Sequence, residues 1–111
     1  MARIFDLAEN GPSTFTGGLA DGMLHTAVTV GSASTELSAA KGSRAYFLMV
    51  NDSTEDMYVE FGDTAIANEG IRVSSGGGVL ELSKANGNLH NRVINAITAS
   101  GSKVALITES G

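Results

Sequence analysis

Apolar residues in this chain recur at every second position, in short runs separated by clusters of Gly, Ser, Asn and Asp. A period of two belongs to strands, whose successive side chains point to opposite faces. In Leu24-His25-Thr26-Ala27-Val28-Thr29-Val30 the positions Leu24, Val28 and Val30 are predicted to face a core, and Thr35 to Ser38 reads as a short partner strand. Arg44 to Val50 is the clearest strand. It sets Tyr46, Leu48 and Val50 on one face and Ala45, Phe47 and Met49 on the other, and both faces are apolar. After the polar turn Asn51 to Asp56, Met57-Tyr58-Val59-Glu60-Phe61 returns with Met57, Val59 and Phe61 inward and Tyr58 and Glu60 outward. These two strands are predicted to form a hairpin.

Further along, Ile71-Arg72-Val73 has an in-out-in pattern, Ser74-Ser75-Gly76-Gly77-Gly78 is a flexible turn, and Val79 to Leu82 continues as a strand. Arg92 to Thr98 and Lys103 to Glu109 complete the set, joined through a Ser-Gly-Ser turn that pairs them as a second hairpin. Leu89, Val93, Ala96 and Ile97 also fit one helical face, but the β-branched content favours a strand. Seven or eight short strands without a convincing helix predict an all-β fold, an antiparallel two-sheet β-sandwich of jelly-roll or immunoglobulin-like type. The immunoglobulin hallmarks, paired cysteines and a core tryptophan, are absent from the sequence. Residues 1 to 22, with Gly11-Pro12 and Gly17-Gly18, read as an extended N-terminal arm or lead-in before a single domain at 23 to 111.

Composition narrows the chemistry. A chain of 111 residues is long enough for one sandwich-sized core. With no cysteine it holds no disulfide, thiolate zinc site or cysteine nucleophile. The seven basic residues, Arg3, Lys41, Arg44, Arg72, Lys84, Arg92 and Lys103, are scattered singly against twelve acids, so no basic stripe matches a run of phosphates and no nucleic-acid partner is expected. No apolar run is long enough for a membrane helix, and acids interrupt the start where a targeting segment needs an apolar core; a soluble chain without a membrane partner is expected.

The polar residues offer little for catalysis. His25 and His90 have no second histidine or acid at ligand spacing, so no metal and no cofactor are predicted. The acids Asp52, Glu55, Asp56, Glu60, Asp63 and Glu69 gather in turns and on an outward strand face, which solvation explains better than glycoside cleavage or a calcium loop. There is no Gly-x-Ser-x-Gly elbow, and the glycine run at 76 to 78 leads into a strand and not into a phosphate-binding helix. No catalytic residue is therefore assigned. Tyr58, with Gly76 and Gly77, forms the alternative ligand contact, for a glycan or host-surface ligand.

The run Arg44-Ala45-Tyr46-Phe47-Leu48-Met49-Val50-Asn51-Asp52-Ser53, then Met57-Tyr58-Val59-Glu60-Phe61-Gly62, Ala65, Gly70-Ile71-Arg72-Val73 and Gly76-Gly77-Gly78, resembles small structural proteins of tailed-bacteriophage virions. The closing stretch from Ile94 to Val104 with Glu109 is similar to the end of the same modules, and together these segments cover about two thirds of the chain. The resemblance implies a capsid decoration or cement protein, made in the bacterial cytoplasm and carried on the virion, that binds the major capsid protein and bridges neighbouring capsid subunits without catalysing a reaction. A tail or connector component, or a host-surface binding module, is the alternative. Arg3, Ile4, Phe5 and Leu7 are the candidate capsid contacts, because an arm of this kind can add a strand to a neighbour's exposed edge; the alternative is that this segment is the first strand of the sandwich itself. Ala45, Phe47 and Met49, if not covered within one chain, are the candidates for self-association as a homotrimer, or else a dimer.

Overall fold

A computed structural model describes residues 23–111, and the candidate contacts Arg3, Ile4, Phe5 and Leu7 lie outside these. The described residues form eight strands and no helix: β1 (Leu24–Val30), β2 (Thr35–Ser38), β3 (Tyr46–Asn51), β4 (Met57–Phe61), β5 (Ile71–Val73), β6 (Gly78–Ser83), β7 (Ile94–Thr98) and β8 (Lys103–Ser110). They make two four-stranded sheets, ordered β1-β8-β3-β6 and β2-β7-β4-β5, with every pairing antiparallel. The fold is thus the all-β, antiparallel two-sheet sandwich that the alternation predicts.

The pairing is nested. First strand pairs with last, second with seventh, third with sixth and fourth with fifth, as though one long hairpin with its tip between β4 and β5 had been wrapped around itself. Wrapping adds the pairs β8 with β3 and β7 with β4, which close each sheet to four strands. Of the two sandwich types foreseen, this is the jelly-roll order.

The predicted hairpins at 44–61 and 92–109, and the turn between Val73 and Val79, are corrected by this order. In each case the chain crosses from one sheet to the other. Turn chemistry shows why 51–56 is a corner. The Asn51 amide, fully buried, donates to the carbonyls of Glu55 and Val73 at 2.7 and 2.9 Å, and the Ser53 hydroxyl donates to Asn51 Oδ1 at 2.7 Å. The bend is therefore stitched to β5 in the opposite sheet. The glycine turn crosses by its backbone: Gly76 and Gly77 take positive φ of 71° and 103°, and a Cβ on Gly78 would lie 2.3 Å from the Ser74 carbonyl oxygen. Both edges of β3 are already occupied by β8 and β6, so β4 has no place beside it.

Alternate residues of each strand fill the space between the sheets. Phe47, Met49, Met57, Ile94, Ala96 and Ala105 have no exposed surface, and Leu37, Val59, Val73, Leu82 and Ile107 are nearly as deep. Each fully buried large side chain contributes about 1.5–3 kcal/mol relative to exposure. Leu24 was expected to join them and does not: it has the core-facing parity of Val28 and Val30, yet 67% of it is exposed. The opposing strand β2 is only four residues long and bulged between Glu36 and Ser38, which limits the cover it can give to β1.

A buried charge closes the end of the sandwich where β3 begins. Arg44, 1% exposed, donates to the carbonyls of Ala39, His90 and Arg92 and to the Ser38 hydroxyl, and its Nε lies 3.5 Å from Glu109. Glu109 accepts from Ser38 Oγ at 2.9 Å and approaches Lys41 Nζ at 3.3 Å. Two loops and the last strand are tied to one guanidinium.

Candidate interaction surface

The outer sides of the two sheets differ in kind, because strand register fixes which residues stand together on each. On the β1-β8-β3-β6 sheet, Ala27 lies opposite Leu106, Leu106 opposite Val50, and Val50 opposite Val79. One apolar row therefore crosses all four strands on the side away from the core. Val104 and Leu48 flank it on neighbouring rows, both half-buried. Leu106 is 41% exposed and Val79 58%, with Ala27 exposed at the row's end. Isolated exposed apolar residues are ordinary, whereas a contiguous row across a sheet is the more informative feature and makes this face the candidate contact surface.

Polar groups frame the row on one side. His25 Nδ1 and Thr108 Oγ1 are 2.9 Å apart on β1 and β8, and the Tyr46 hydroxyl donates to Glu81 at 2.6 Å across β3 and β6. That bond to the carboxylate, then partial burial and the negative charge itself, raise the Tyr46 hydroxyl above its ordinary pKa. Asn86 Nδ2 also reaches Glu81, at 3.5 Å. A cleft of about 380 Å³ opens beside this pair, lined by Ala45, Tyr46, Glu81 and residues 83–86, and a shallow groove of about 340 Å³ lies over the β1–β8 seam.

The β2-β7-β4-β5 sheet presents a different exterior. Glu36, Asn95 and Glu60 form one row and Ile97, Tyr58 and Arg72 the next, with Arg72 3.7 Å from Asp56. Only Ile97 is aliphatic there, and it is 8% exposed.

The self-association candidates lie elsewhere. Ala45, Phe47 and Met49 are 9%, 0% and 0% exposed and face the core of their own chain, so the condition for burying them against a second copy is not met. The opposite side of β3, with Leu48 and Val50, is the outward one. Tyr58 stands on the outer face of the second sheet, half-buried between Ile97 and Arg72. Gly76 and Gly77 are brought instead to the β3–β4 corner, where their N–H groups donate to Ser53 and Asn51 at 2.8 and 2.9 Å. Neither cleft described above includes Tyr58, Gly76 or Gly77. Among the described residues no three His, Asp or Glu side chains gather as metal ligands.

The molecule is in these terms a jelly-roll module with one apolar and one polar sheet exterior. Comparison with protein-family models, curated proteins and solved structures finds no match to the chain.

Proposed function

We propose that the chain is a capsid decoration protein of a tailed-phage virion, one that binds the outer surface of the head and strengthens it by bridging neighbouring capsid subunits. The observation that carries the proposal is the apolar row Ala27, Leu106, Val50 and Val79 across the outer face of one sheet. The row runs the full width of the sheet, past the shallow groove that Ala27 and Leu106 help to line, and an apolar surface of that extent suits another protein. The resemblance read in the sequence at 44–53, 57–62, 70–73, 76–78 and 94–104 is what suggests a capsid as that surface. In this role the module acts by burial, and no reaction is asked of it. Covering the exposed parts of Leu106 and Val79 would contribute on the order of 1 kcal/mol each, which many copies on one shell multiply.

The test is attachment to isolated heads that lack the chain. Wild-type protein is expected to co-sediment in fixed stoichiometry and to raise the temperature at which the heads release DNA. Failure to bind, or binding that leaves head stability unchanged, would contradict the proposal.

A further inference from the structure

A sheet edge is a row of backbone donors and acceptors, and folded chains ordinarily block such edges against copies of themselves. The two sheets here have four edges among the described residues, β1 and β6 on one and β2 and β5 on the other. Three are blocked in recognisable ways. Strand β2 is four residues long, contains Glu36 and is broken by a bulge. Strand β5 is three residues long and carries Arg72. Strand β6 follows the glycine turn and carries Glu81. Strand β1 differs: seven residues, Leu-His-Thr-Ala-Val-Thr-Val, regularly paired with β8 on one side throughout, with no Asp, Glu, Lys, Arg, Pro or bulge.

We infer that β1 pairs with β1 of a second copy, antiparallel about a two-fold axis at Ala27. Two features select this occupant. First, the strand is self-complementary. The register centred on Ala27 places His25 opposite the partner's Thr29, Thr26 opposite the partner's Val28, and Ala27 on itself, all on the exposed or half-buried part of the strand; Val30, wholly buried in its own chain, takes no part. Second, the chain carries a net charge of −5, so copies repel along most surfaces, and β1 is a long edge with no formal charge to oppose the approach.

The pairing has a consequence for the outer face. Ala27 ends the apolar row of one copy, so the two-fold joins two rows end to end into one stripe across eight strands. In the decoration role, on which this last step rests, a two-fold stripe is what spans a boundary between capsid subunits.

The native chain has no cysteine, so a single introduced thiol reports the register. Residues directly opposite in an antiparallel pair have Cα atoms about 4.5–5.5 Å apart, within disulfide reach. Ala27→Cys in the full chain is expected to give mostly covalent dimer under mild oxidation, with Leu24→Cys and Val79→Cys giving at least tenfold less. Wild-type protein is expected to elute at twice the 11.4 kDa of one chain, and Ala27→Lys, which sets two charges on the axis, at the single mass. A monomeric wild type, or equal crosslinking at positions 24, 27 and 79, overturns the pairing. Occupation of the β1 edge by another segment of the same chain would show as that monomer. Head binding is read separately: a monomer that still decorates heads sinks only the dimer, and a dimer that ignores heads sinks only the decoration role.

Discussion

The two sheets share one core but turn different exteriors to their surroundings. Outside β1-β8-β3-β6 the register lines up Ala27, Leu106, Val50 and Val79; outside β2-β7-β4-β5 it lines up Glu36, Asn95 and Glu60. Both sheets contribute buried residues to the shared core, so an apolar outer face is not required by folding. A sheet that needs only one apolar face for stability and has two presents a surface of the kind that protein partners cover.

The largest effect that sharpens this contrast comes from the shared interior. Replacing Arg44 with Ala leaves Glu109 without its guanidinium and frees the carbonyls of Ala39, His90 and Arg92. A loss of about 3 kcal/mol is expected from urea unfolding, with Lys41 retaining part of the Glu109 interaction. A loss below about 1 kcal/mol would mean that the buried charge does not hold the two sheets together.

Smaller, and aimed at the exteriors themselves, is the pair Leu106→Glu and Tyr58→Ala. Leu106→Glu is expected to weaken attachment to heads at least tenfold, about 1.4 kcal/mol, while changing folding stability little. Tyr58→Ala on the other sheet should leave attachment unchanged. Binding curves and unfolding curves of both variants separate a lost contact from a lost fold.

The smallest effect concerns the corner where the two sheets exchange strands. Glu55 accepts from the Ser100 hydroxyl at 2.5 Å and from the Ser100 N–H at 3.0 Å, and these bonds hold its carboxyl below the usual range, with Lys103 adding a minor pull in the same direction. Because the folded value is depressed, the contribution is complete above the unfolded pKa and disappears as pH falls through the folded one. Glu55→Gln should therefore flatten the fall of the urea midpoint below about pH 5. An unchanged acid slope would remove Ser100 from the set of contacts that hold this corner.

Alternation located most of the eight strands, because each keeps a period of two over its own few residues; at 92–98, where the apolar spacing also fits a helix, β-branched content and the Ser-Gly-Ser turn decided. Sheet membership was not legible in the same way. Whether Asn51 to Asp56 reverses the chain or sends it across depends on Val73, 22 residues beyond Asn51, accepting the Asn51 amide. The outward side of β3 was equally hidden. Tyr46, Leu48 and Val50 are as apolar as Ala45, Phe47 and Met49, and only Leu82 and Ile107, opposite Phe47 and Met49, decide which set is interior. In the sequence Arg44 is only one of seven singly scattered basic residues, at the start of the clearest strand. A signal was present, however: Glu109 follows Ala105 and Ile107 on the inward parity of β8, and an acid at that position calls for a buried cation.

The central claim, that the apolar exterior of β1-β8-β3-β6 is the face a protein shell covers, is tested most directly by hydrogen exchange on the head-bound protein. Slowed exchange is predicted across β1, β8, β3 and β6 relative to the free chain, with the Tyr58 and Arg72 strands unchanged. Protection confined to β4 and β5, or none on either sheet, would contradict it.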